Sequence, residues 1–314
     1  MPENAADYLK EVFLFSLAPI SVNFLNFVET ILHMKSRSLS NLLLALTAAL
    51  FLSLPAAHSQ ETGAQETATR QTDPKPYKEV QRFKAYHATQ GVAVDKDAFY
   101  AITNAHITKF NLQGDSLMTW HEPNKDRIRH INAGIVLKNK LYCAHSNYPL
   151  YPMASSIEIF DTKDLSHIGT VSFGIDTGSC TWILPGKRCW YVFFAHYDKK
   201  IDKEGKQWDN ANQAQLVMFD RKWRKMQAWT LPADLLKEIA PSSLSGGVMI
   251  DGIFYCTGHD AAKCYKLRIP ERGTILEWIG EVDVPFHGQA IALGPDGDLW
   301  GISRKERAVI RARR

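Results

Sequence analysis

The sequence predicts an all-β chain folded as a single β-propeller, with five four-stranded blades closed by an N-terminal strand. Three observations predict it. A layout of short apolar strand, tight polar turn and aromatic-bearing strand recurs at 91–100, 134–142, 247–255 and 290–300, with a looser copy at 181–191. A third strand and, in most units, a fourth follow each hairpin, so that the unit returns about every 40–50 residues. The last unit runs out after three strands at Arg314, while a strand-like segment, 77–84, precedes the first unit.

The hairpins are read from turn residues set between β-rich runs: Asp95 to Asp97, Lys138 to Lys140, Pro185-Gly186, Asp251-Gly252 and Gly294 to Gly297. The third strands are 107–111, 157–161, 216–220, 265–268 and 308–311, and the fourth are 116–120, 167–173, 225–229 and 276–282. A lone four-stranded sheet cannot bury both faces. Radial stacking lets each sheet cover its neighbour with branched and aromatic side chains. Segment 77–84 then supplies the missing outer strand and removes the open edge. A sixth blade would need a repeat within 197–212, which is too polar. One helix is predicted, 233–239. A two-sheet sandwich is the competing architecture.

Ahead of the repeats the chain reads as an address. Met34-Lys-Ser-Arg37 is basic, 42–54 is apolar, and Ala57 and Ser59 are small, as in a secretory signal peptide over 34–59 with a mature chain from about Gln60. The alternative is a membrane anchor, for which the run falls short of the ~20 residues that span a bilayer. Residues 1–33 are read as an upstream extension from a start codon set too early, a second membrane segment being the other reading. Residues 60–76 are polar and read as a linker, and 77–314 as the propeller domain. The expected location is outside the cytoplasm, periplasmic or extracellular, with no membrane span in the mature chain. The five cysteines leave at least one thiol unpaired. Cys180 with Cys189 and Cys256 with Cys264 flank short loops, and buried free cysteines are the alternative.

With 22% charged and 45% hydrophobic residues among 314, the composition is that of a globular protein. A net charge of +4 with no dense basic stripe excludes a nucleic-acid binder. No GxSxG elbow, HExxH, P-loop or dinucleotide motif occurs. The run 242–247 is serine- and glycine-rich; a nucleophile is one reading, and small residues for close packing at a strand entry are the better one. Trp182, Trp190, Trp223, Trp229 and Trp278 read as inter-blade core.

Topology supplies the functional hint. The start of each innermost strand and the end of the antiparallel second strand lie on one face. Before the first strands lie His87 and Gln90, His130 and Asn132, Thr177 and Ser179, Ser243 and Ser245, His287 and Gln289. After the second strands lie Asn104, His145, His196, His259 with Asp260, and Arg304. Six of the nine histidines beyond residue 60 fall at these positions. His145, His196, His259 and Asp260 are the catalytic candidates. His87, Gln90, His130, Asn132, His287, Gln289 and Arg304 are the ligand-binding candidates. Imidazoles around an opening can bind a divalent metal or act as general acid and base. Arg304 can hold a carboxylate, and Asp260 can orient a histidine. One rim carboxylate is too few for calcium. Purely structural use of these groups is the third reading.

The blade signatures, together with Leu141-Tyr-Cys-Ala-His-Ser-Asn-Tyr-Pro149, Thr257-Gly-His-Asp260 and Pro285-Phe-His-Gly-Gln-Ala290, resemble a group of secreted bacterial and fungal propellers known as cycloisomerase-like. More distantly the chain resembles YVTN and quinoprotein-like propellers and the propeller glutaminyl cyclotransferases. The likeness spans residues 77–314. It implies an exported propeller and an enzyme of cyclase, lactonase or isomerase type on a small polar substrate, and a monomer is expected. The alternative function is a non-catalytic propeller that binds a protein or glycan partner.

Overall fold

The computed structural model describes residues 71–124, 126–198 and 209–314. The readings of an extension, a signal peptide and the first part of a linker fall on residues outside this range. Five sheets form the ring. Strand β1 (Gln71–Thr72) and strand β2 (Lys78–Lys84) precede the first blade. Blade one is β3 (Gly91–Val94), β4 (Ala98–Thr103), β5 (His106–Asn111) and β6 (Ser116–His121). Blade two is β7 (His130–Leu137), β8 (Lys140–Ser146), β9 (Ser155–Asp161) and β10 (His167–Gly174). Blade three is β11 (Ser179–Pro185), β12 (Cys189–Ala195), β13 (Gln215–Asp220) and β14 (Lys225–Thr230). Helix α1 (Ala233–Ile239) follows, at the predicted residues, and buries Leu235 and Ile239. Blade four is β15 (Gly246–Ile250), β16 (Ile253–Thr257), β17 (Lys263–Arg268) and β18 (Glu277–Asp283). Blade five is β19 (Ala292–Leu293), β20 (Leu299–Ser303) and β21 (Ala308–Arg313), completed on its outer edge by β2.

The two tightest hairpins show why the turn residues are what they are. Lys138 and Asn139 both have positive φ, 51° and 61°, as do Asp251 and Gly252 at 50° and 79°. That is the two-residue turn whose twist matches a strand pair. The closure by β2 is also a packing event. Phe83 is buried, stacks on Trp300 of blade five at 5.6 Å and lies 4.8 Å from Phe99 of blade one. One side chain thus joins the last blade to the first, and burying a phenylalanine stabilises by roughly 1.5–3 kcal/mol.

One detail differs from the sequence reading. Residues 71–76 are held against the propeller: β1 pairs in parallel with β18, and Asp73 makes ion pairs with Arg314 and, at 3.6 Å, Lys266. The five cysteines are all free. Cys180 is opposite Phe194 and Cys189 opposite Asp220, so the two thiols sit at opposite ends of their hairpin. Among the described residues, no helix is long and apolar enough to cross a membrane.

Candidate functional site at the boundary of blades four and five

The innermost strands meet in a ring where they begin. The amide N–H of Ala290 donates to Gln90 O at 3.0 Å, and that of Ile131 to Asn104 O at 3.0 Å. Asn132 Nδ2 donates to Cys180 O at 2.8 Å and Thr181 Oγ1 to Leu244 O at 3.0 Å. The Thr257 hydroxyl donates to Gln289 O and closes the circle. Glycine is required here. A Cβ on Gly91 would lie 2.7 Å from Ala290 Cβ and from Asn132 O, and one on Gly246 would lie 2.6 Å from Ala290 Cα. The polar residues of this ring therefore hold blades together, because a buried backbone carbonyl needs a donor.

The axial cavity lies beyond this ring, toward the opposite face. It measures about 220 Å³ and is walled by apolar residues and glycine, among them Val94, Ile135, Trp182, Pro185, Met249 and Leu293. No histidine lines it. The strand registers put the six histidines on the face where the innermost strands begin, but not around the cavity.

Their neighbours give them different work. His145 is buried, and its Nε2 accepts the Arg129 amide N–H at 3.0 Å. Its Nδ1 therefore carries the proton and donates to Ser156 Oγ at 2.8 Å, which donates to Glu158 at 2.6 Å. The other oxygen of Glu158 takes His167 Nε2 at 2.7 Å and the Thr170 hydroxyl at 2.6 Å. Burial pushes the His145 imidazole below its ordinary value, against an opposing pull from Glu158. Both ring nitrogens are thus bound inside blade two.

His196 has its Nδ1 2.7 Å from Asp209, a carboxylate whose side chain is 1% exposed, and its Nε2 3.3 Å from Thr177 O. His87 bonds Thr108 Oγ1 at 2.6 Å and stacks on His106 at 4.7 Å, which lies 4.6 Å from His121. Burial and then the neighbouring imidazole hold His87 and His106 below the ordinary value. His130 lies against Tyr148 at 5.1 Å, and Gln90 Nε2 donates to Asn104 Oδ1 at 2.9 Å. Arg304 is exposed on blade five.

Blades four and five do bring candidates together. Asp260 accepts from His259 Nδ1 at 2.7 Å, and its backbone carbonyl accepts from His287 Nδ1 at 3.0 Å. His259 is 38% exposed, and no described residue bonds its Nε2. Gly288 presses on the His259 carbonyl, where a Cβ would stand 1.9 Å away. Gly288 and Gln289 both have positive φ, 51° and 63°. For a non-glycine residue this is a strained conformation. The Gln289 amide nitrogen is buried and has no partner among the described residues, and the hydroxyls of Thr177 and Ser243, which precede the first strands of blades three and four, share that state.

Among the described residues, no group of three or more His, Cys, Asp or Glu side chains is placed to hold a metal ion. Two groups escaped the sequence reading. Glu158 is a single acid inside an apolar strand, and Asp209 stands in a polar insertion without pattern. Only the contacts made across strands show what they orient.

Comparison with known proteins adds the fold. No protein-family model and no curated protein matches the chain. Among solved structures it is similar to the glutaminyl cyclase of Myxococcus xanthus, with a TM-score of 0.50 and 9% identity over 76% of this chain and 95% of that one. A subunit chain of Kuenenia stuttgartiensis hydrazine synthase gives 0.42 and 10% over 70% of each chain. The WD40 propeller domain of Doa1 gives 0.39 and 9% over 71% of this chain and 78% of that one. At 9% identity the likeness to the glutaminyl cyclase is one of fold alone.

Proposed function

We propose that the protein is an exported propeller that binds a small polar molecule at the boundary of blades four and five, with His259 as proton acceptor, in a reaction of cyclase, lactonase or isomerase type. The observation that carries the reading is the strained His287–Gln289 turn. The turn holds a buried, unpartnered Gln289 amide and passes over the backbone carbonyl of His259, a histidine whose Nδ1 is fixed by Asp260 and whose Nε2 is open. A carboxylate on Nδ1 fixes the tautomer and makes Nε2 the basic atom. Strain at a non-glycine residue persists where the surrounding structure enforces it, and such sites cluster at ligand clamps. The Gln289 amide nitrogen is a buried donor without a partner among the described residues.

The test is a thermal-shift screen of small lactones, sugar acids and N-terminal glutaminyl peptides. At least one class should raise the melting temperature, and the shift should vanish in both His259→Ala and Gln289→Ala. Shifts that survive in both variants, or no shift from any class, would contradict the reading.

A second reading, recognition of a protein partner, is favoured by the 147–154 loop. It carries exposed Leu150 and Tyr151 between two cis prolines, Pro149 and Pro152. Photo-crosslinking from position 151 in the producing cells, with position 138 on the opposite face as control, separates the two. A discrete adduct from position 151 alone supports partner recognition, and equal labelling from both positions opposes it.

A further inference from the structure

The axial cavity and the cations beside it have no part in the site above. At about 220 Å³ the cavity exceeds the roughly 150 Å³ of an apolar engineered cavity that holds benzene. Its lip is formed by Ile135, Pro185, Met249 and Leu293, which are half-buried or, for Leu293, 36% exposed. The hairpin turns that continue from Ile135 and Pro185 carry Lys138, Lys140, Lys187 and Arg188, all exposed. None of these four has an ion-pair partner among the described residues. Arg221 reaches the same region, donating to Gly186 O at 2.7 Å.

The acids on the other blades of this face are largely engaged. Asp95 accepts the Tyr100 hydroxyl at 2.8 Å, Asp97 pairs with Lys96 at 3.4 Å, and Asp296 pairs with Arg311. Asp251 stands on blade four. Blade two also carries Asp161, opposite Lys140, and Asp164 on this face, and blade three carries Asp220, paired with Arg224, so the excess positive charge lies on the side of blade three, at Lys187, Arg188, Arg221 and Lys222.

We infer that this tunnel takes the alkyl chain of a medium-chain carboxylate, whose head is held by Lys187 and Arg188. The wall favours an alkyl chain, because none of its side chains carries a polar atom except the Trp182 indole and its other polar groups are backbone. The cations select an anionic head over a neutral one. The volume limits the chain to a short or medium length.

Titration calorimetry on the full chain with hexanoate, heptanoate, octanoate and 1-octanol tests this. Affinity should rise about three- to fourfold per added methylene until the tunnel is full. Octanoate should bind at least tenfold more tightly than octanol. Leu293→Trp, which fills the lip, should abolish binding of both. Lys187→Ala with Arg188→Ala, on an exposed turn, should bring octanoate down to the level of octanol. Equal affinity for the acid and the alcohol, no dependence on chain length, or unchanged binding in Leu293→Trp would overturn the assignment. Should Leu293→Trp fail to fold, as seen by circular dichroism, the exposed double variant decides.

Discussion

The two ends of the propeller axis are built differently. Where the innermost strands begin, the connections are long: the described residues 122–124, 126–129, 147–154, 196–198, 209–214, 231–245 and 284–291 all lie there. Where those strands end, the hairpins turn at 138–139 and 251–252 in two residues. The long-loop end holds the six candidate histidines, the inter-blade ring and the strained Gln289. The short-turn end holds the cavity, and its wall is apolar. Polar chemistry and enclosed space are therefore at opposite ends, and a residue's place on a face does not by itself make it part of a cavity.

Both ends share the closure, and its loss should have the largest effect. Deleting 77–84 removes Tyr77 and Phe83 from the core and leaves β21 as an open edge. The shortened chain should show no cooperative thermal transition. A melt like that of the intact chain would place the closing strand elsewhere.

Next in size is the ring. Gly246→Val sets a side chain against backbone atoms of Gln289, Ala290 and Ile291, which would stand 2.6–2.8 Å from its Cβ. Backbone cannot yield as a side chain can, so urea unfolding should show a loss of about 3 kcal/mol. A loss below about 1 kcal/mol would mean that the ring is looser than described.

The histidines sharpen the contrast within the long-loop end. His145→Ala strands the Arg129 amide and the Ser156–Glu158 pair, and should cost about 1–3 kcal/mol. His259→Ala, on an exposed pair, should change stability by less than about 0.5 kcal/mol. Equal costs would erase the distinction between holding histidines and the open one.

A pH series gives the smallest effect. His87, His106 and His145 are all held below the ordinary 6.5, chiefly by burial. The unfolded chain then binds protons that the folded one refuses, so this stability is present above about pH 6.5 and is lost as pH falls through the lowered values. Urea midpoints should fall over that window, and His145→Ala should flatten the fall. A midpoint that rises on acidification would contradict the assignment.

Most of the fold was legible in the sequence because propeller blades repeat local signals. Asn139 and Gly252 mark their turns, the helix 233–239 matches to the residue, and the missing fourth strand of the last unit points to 77–84. The parallel pairing of β1 was not legible, since Gln71 and Thr72 carry no strand pattern. The site was legible only to the level of the face. Strand alternation places six histidines there, but what frees or binds each one is set by Thr108, Ser156, Glu158 and Asp209, which reach them from other strands or from an insertion. The positive φ of Gln289 stands next to the close passage of Gly288 over the His259 carbonyl, a contact between blades. The tunnel was hidden for the opposite reason: Val94, Ile135, Met249 and Leu293 read as ordinary core.

The separation of chemistry from space is the claim on which both functional readings stand, and a crystal under xenon pressure tests it most directly. Xenon enters dry apolar cavities and avoids polar ones. The account predicts a xenon site between Val94, Ile135, Met249 and Leu293, with none at the ring formed by Gly91, Asn132, Gly246 and Ala290. Xenon at that ring, or an axial cavity filled with ordered water, would contradict it.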